Sequence, residues 1–169
     1  MSRRVLMLVS AAAFAGCGDP PPTGYVSKAD QFRVGFPTDP RVIDQPTGGI
    51  PSRLYTAEAP NGAFTVRVID IPLAADAVAA ATDKLLDEAR DDLVRSVGGT
   101  LTDGSAVALA GKYPGRTVTA TTAPPKAGVL RARVYLAGTR LYKVSVFGKG
   151  EFANSDAATA FLESFMILE

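Results

Sequence analysis

Histidine is absent from all 169 residues, tryptophan is absent too, and cysteine occurs once, at Cys17. Without histidine, no side chain changes charge near neutral pH at its ordinary pKa. That excludes Ser-His-Asp and Cys-His nucleophile pairs, histidine acid–base chemistry, and the usual zinc and haem ligand sets. A single cysteine has no disulfide partner within the chain. The missing tryptophan removes a favoured stacking surface for sugars. Net charge is nearly absent as well, with 18 Lys and Arg against 17 Asp and Glu. No strong field gathers nucleic acid or an anionic surface, so neither is expected as a partner. Catalysis would have to rest on carboxylates, lysine, tyrosine or serine alone. The chain is therefore read as a non-enzyme without cofactor or metal.

The first sixteen residues have an order of their own. Arg3 and Arg4 are followed by the apolar run Val5 to Phe14, then by the small pair Ala15-Gly16. Charge, apolar run and small residues together are the pattern of a secretory signal peptide. About ten apolar residues are too few to cross a hydrocarbon core of roughly 30 Å. A cleaved segment is expected rather than a spanning helix.

Phe14-Ala15-Gly16-Cys17 resembles the bacterial lipobox, with phenylalanine standing where leucine is usual. The resemblance implies that Cys17 receives a diacylglycerol on sulfur and becomes the new N-terminus. One acyl chain anchors only marginally, whereas two or three hold a protein on its membrane. The implied location is the bacterial cell envelope. Gly18, where an aspartate would favour inner-membrane retention, points to the outer membrane.

Removing residues 1–16 leaves 153 residues, of which 16 are basic and 17 acidic. A chain of that length buries about 70% of its unfolded surface and needs no disulfide staples. Residues 17–27 read as the lipidated cysteine and a Pro-rich spacer, since Gly18 to Gly24 hold three consecutive prolines. Residues 28–169 read as one domain.

Within it, Phe32, Val34 and Phe36 alternate as a strand, and Arg41 to Gln45 can pair briefly. Arg53 to Ala59 and Phe64 to Ile71 form a hairpin around the turn Pro60-Asn61-Gly62. Leu85, Leu86, Ala89, Leu93, Val94 and Val97 mark one face of a helix stopped by Gly98. Four strands follow: Ser105–Leu109, Arg116–Thr122, Val129–Ala137 and Leu141–Phe147, with Gly111 to Gly115 read as a turn. Ser155 caps a last helix through Phe165. Hairpin connections argue for the α+β class, a single antiparallel β-sheet with helices packed on it.

The stretches FRVGFP (32–37), YPGRTV (113–118), RARVYLAGTRLYKVSV (131–146) and SDAATAFLESF (155–165) resemble the Mog1/PsbP-like group. The resemblance spans residues 28–168 and rests on packing and turn motifs. It implies an α/β/α sandwich and a binding or accessory role. It implies no site residues, because no functional set is shared.

Two surface features remain. Arg131, Arg133 and Tyr135 alternate onto one strand face, and with Arg116 and Tyr142 they form a candidate groove for an anionic ligand. Arg140 alternates similarly with Tyr142. The competing structural role, arginine stems covering the sheet and tyrosines under the helices, suits these residue types better. Asp87, Glu88, Asp91 and Asp92 form an acidic helix face, expected to be solvated rather than metal-binding. The expected function is a lipid-anchored accessory module for an envelope partner. The alternative is a small-ligand or metal-binding module using a groove on the sheet. The sequence does not indicate the oligomeric state.

Overall fold

The computed structural model describes residues 23–125 and 127–169. The signal peptide, Cys17 and spacer residues 18–22 lie outside the described residues. Along the chain run β1 (Thr23–Ser27), β2 (Phe32–Phe36), β3 (Arg41–Asp44), β4 (Ser52–Ala59) and β5 (Gly62–Asp70). Then come α1 (Ala75–Ala80), α2 (Thr82–Ser96), β6 (Gly99–Asp103), β7 (Ala106–Leu109) and β8 (Tyr113–Thr122). The chain ends with β9 (Gly128–Ala137), β10 (Arg140–Gly148), α3 (Gly150–Ala153), α4 (Asp156–Glu163) and β11 (Met166–Ile167).

The strands form two antiparallel sheets, not one. The larger runs β3-β4-β5-β10-β9-β8-β6, with β7 also pairing β8. The smaller runs β1-β2-β11. Its making explains why strand periodicity alone implies one sheet: Arg33 and Met166, paired across β2 and β11, are 133 residues apart in the chain. Thr23–Ser27, read from sequence as spacer, pair with β2 along their whole length and belong to the domain. The turn placed at Gly111 to Gly115 is also shifted. Lys112 N–H donates to the Leu109 carbonyl at 3.0 Å, and Tyr113 to Gly115 already belong to β8. Gly99–Asp103 adds a strand that composition did not flag, exposed along most of its length.

Strand alternation sorts side chains onto the two faces of the large sheet. On one face lie Tyr55, Phe64, Val66, Val68, Tyr135, Tyr142, Val144 and Val146, covered by Phe32, Val34 and Phe36 of β2, Phe161 of α4, and Phe165 just after that helix. On the other lie Val118, Ala120, Leu130, Ala132, Val134 and Leu136, covered by Val78 of α1 and Leu86 and Ala89 of α2. Each fully buried Val, Leu or Phe contributes roughly 1.5–3 kcal/mol. Covering both faces is why β10 is buried nearly throughout and β9 has no fully exposed residue. Helix α2 ends as expected, with Gly98 at a φ of +63°. Ser155 caps α4 by accepting from Ala158 N–H at 3.2 Å. The single turn α3 sets Phe152 against paired Gly62 and Gly148, where any Cβ would meet its ring within 2.7 Å.

Candidate functional site

The five residues of the expected groove do not come together. Arg131, Arg133, Tyr135 and Tyr142 share the face beneath β2 and α4, and each is committed there. Arg131 donates to the Ala153 carbonyl and to Thr159 Oγ1, both at 3.1 Å, tying α3 to α4. Arg133 reaches the Leu162 carbonyl at 3.4 Å, at the helix end where a cation is favoured. Tyr135 stacks on Phe165 with 4° between ring planes. Tyr142 is buried and donates to the Asp30 carbonyl at 2.9 Å. Arg116 stands on the opposite face, where it donates to Asp87 and Asp83 of α2, each at 2.9 Å. Arg140 is held by Asp70 at 2.7 Å.

The acidic residues of α2 all have cationic partners. Asp87 meets Arg116 and Arg90, Asp91 meets Arg90, Asp92 meets Arg95, and Glu88 meets Lys84. Among the described residues no group of three or more metal-ligating side chains converges. No described helix is long and apolar enough to cross a membrane.

A cleft does exist on the α2 side of the sheet, built from residues the sequence pattern left unremarked. Helix α2 runs across β6, β8 and β9, and beside it the face over β5 and β10 turns polar. Thr65 and Ser145 are registered partners there, 2.6 Å apart through their hydroxyls. The next pair in phase is Arg67 and Lys143. The tip of the β3–β4 hairpin closes the other side. Gly48 and Gly49 sit at φ of +58° and +81° between Thr47 and Ile50, a two-residue turn that side-chain-bearing residues rarely adopt. From that tip Gln45 and Thr47 accept from the Arg67 guanidinium, both at 2.9 Å. The cleft holds about 600 Å³ and is also lined by Asp92, Arg95 and Ser96.

Its electrostatics are uneven. Burial pushes the Lys143 ammonium below the ordinary lysine value; Asp92 pulls it back, and Arg67 and Arg95 push it further down. Burial lowers Arg67 in the same way. The sequence carries a signal for Lys143 alone, not for its pairing with Arg67. Leu141, Lys143, Ser145 and Phe147 share one strand phase, and a lysine there stands out between Leu141 and Phe147.

A second polar cluster joins the two sheets. The Asp30 carboxylate accepts from the Tyr55 hydroxyl and from Arg53 at 3.1 Å, while Asp30 N–H donates to Ser27 Oγ at 3.2 Å. Ser27 Oγ lies 2.8 Å from the Tyr55 hydroxyl. Burial and the neighbouring Asp30 carboxylate push the Tyr55 phenol up to about 12. The partners are mutually satisfied, so the cluster works as a latch between sheets beside a cavity of about 290 Å³.

Among solved structures, the chain is similar to the solution structure of cyanobacterial PsbP (CyanoP) from Synechocystis sp. PCC 6803. Sequence identity is 13%, the TM-score is 0.55, and the match covers 92% of this chain and 98% of that one. The chain is also similar to the crystal structure of LpqN, involved in cell envelope biogenesis of Mycobacterium tuberculosis, at 17% identity and a TM-score of 0.47. That match covers 90% of this chain and 88% of the other. The fold is thus PsbP-like. No protein-family model matches the chain, and no curated protein matches it.

Proposed function

We propose that the chain is exported, held in the bacterial cell envelope by acyl chains on Cys17, and acts there as a non-enzymatic binding or accessory module for an envelope partner. The observation that carries this reading is the N-terminal order: two arginines, an apolar run, and Phe14-Ala15-Gly16 before the chain's one cysteine. The start of the fold is compatible with a short tether, since β1 begins at Thr23, six residues after Cys17. Six residues span about 20 Å at full extension. The small sheet would then stay beside the bilayer. The accessory role is supported by composition, because the nucleophile systems built on histidine are closed to this chain.

Labelling cells with a tagged fatty acid tests the anchor. The wild-type chain is expected to carry the label and Cys17→Ala to lose it; a labelled Cys17→Ala variant overturns the anchor. Affinity capture of the tethered protein from solubilised envelopes tests the role. Co-purification of a defined envelope protein is expected, and its absence at every detergent strength removes the accessory reading.

A further inference from the structure

Arg67 and Lys143 are direct cross-strand partners on β5 and β10. Like charges placed opposite one another on paired strands are unfavourable. Here solvent does little to screen them, since Lys143 is only 8% exposed. Its one ion-pair partner among the described residues is Asp92, at 3.8 Å, and Asp92 makes its closer contact, 2.6 Å, to Arg95. Arg67 has no carboxylate partner among the described residues; Gln45, Thr47 and Ser52 accept from it as neutral groups. Three cations therefore share one anion around the cleft. The C-terminal end of α2 adds only about half a negative charge, confined to its last turn, so the cations of the cleft stay in excess. If this position served stability alone, an apolar side chain would do so without the desolvation cost of a buried charge.

We propose that this cleft binds a small phosphate-bearing molecule, with the phosphate seated among Lys143, Arg67 and Arg95. A phosphate monoester carries about −1.5 to −2 charge at pH 7, which matches the surplus of two cations. Lysine offers three rotatable donors and arginine a planar fork, the combination suited to phosphate oxygens. The hairpin tip already fixes the Arg67 fork, so little side-chain freedom is lost on binding. At about 600 Å³ the cleft exceeds the volume of a lone phosphate and lies within the size range of small-molecule sites. An organic ester fits better than the free ion.

The test is calorimetric titration of the purified chain at low salt with glycerol phosphate, and with glycerol as the uncharged control. Binding is expected for the ester and not for glycerol. It should weaken at least tenfold in Lys143→Met and several-fold in Arg95→Gln, which alters an exposed side chain and leaves the fold intact. Lys143→Met should melt no lower than the wild type without ligand, because it removes a buried charge facing Arg67. Vesicles of phosphatidylglycerol and phosphatidylcholine separate the sources of phosphate. Lys143-dependent binding to phosphatidylglycerol vesicles, without binding of the soluble ester, identifies a lipid headgroup. Silence in both arms, or binding that Lys143→Met and Arg95→Gln leave unchanged, overturns the proposal.

Discussion

Tyr55 shows how one side chain can join two sheets. Its ring packs edge-on against Phe32 at 4.9 Å, and its hydroxyl sits between Ser27 and Asp30. Tyr55→Phe keeps the ring and leaves Asp30 and Ser27 short of a partner. Unsatisfied buried groups cost about 1–3 kcal/mol, so urea denaturation should show a loss of that size. Alkali acts on the same group. Tyr25, Tyr55, Tyr135 and Tyr142 all have raised pKa values, chiefly through burial. The native state therefore prefers the neutral phenol. That stability is fully present below about pH 10, the unfolded value, and is lost as pH rises towards about 12, the Tyr55 value. Melting temperatures recorded from pH 9 to 12 should fall across this window. Tyrosinate absorbance should follow, with no tryptophan to obscure it. Lys143 has the opposite sign. Its lowered pKa means the unfolded chain binds more protons as pH approaches about 10.4, so its contribution rises with pH there.

At the scale of elements, α4 carries much of the larger core. Phe161 is 5.0 Å from Phe36 and 5.2 Å from Phe64, measured between ring centroids. Phe161→Ala should cost about 3–5 kcal/mol, and Ser155→Ala about 1 kcal/mol through loss of the cap; thermal or urea unfolding measures both. Gly148→Ala should be among the worst single changes, because its Cβ would lie 2.3 Å from the Asn61 carbonyl oxygen. Local pattern was enough to read α2, α4, β9 and β10, since their periodicity and their stops lie within each element. It did not reach β1, which follows three consecutive prolines in the sequence and whose strand character comes from pairing with β2. Nor did it reach the cleft. Arg67 and Lys143 meet because β5 lies beside β10, a pairing across 76 positions that no hairpin announces. Arg116 stands on the opposite face from Arg131 and Arg133 for a related reason: the pleat gives alternation within β8, but its phase relative to β9 depends on register.

For the whole molecule, the small sheet closes the chain on itself. Met166 and Ile167 pair with β2, Leu168 N–H donates to the Gln31 carbonyl at 2.8 Å, and Lys112 holds Glu169. Deleting residues 166–169 removes these bonds and opens one edge of β2 over the aromatic core. A lower melting temperature and increased light scattering are the expected results. Long-range pairings of this kind fold more slowly than local ones. Refolding should therefore be slower than in a helical protein of similar length, as stopped-flow measurements would show.

The borders of the large sheet bear on how neighbouring copies meet. One border is β3, four residues long and flanked by Pro40 and Pro46; the other is divided between β6 and β7, with a register break at Leu101 to Asp103. An uninterrupted border exposes a row of unpaired backbone groups on which another chain can polymerise. Here neither border offers such a row. Copies of the chain that meet edge to edge along these borders therefore find no continuous template on which to grow into fibres.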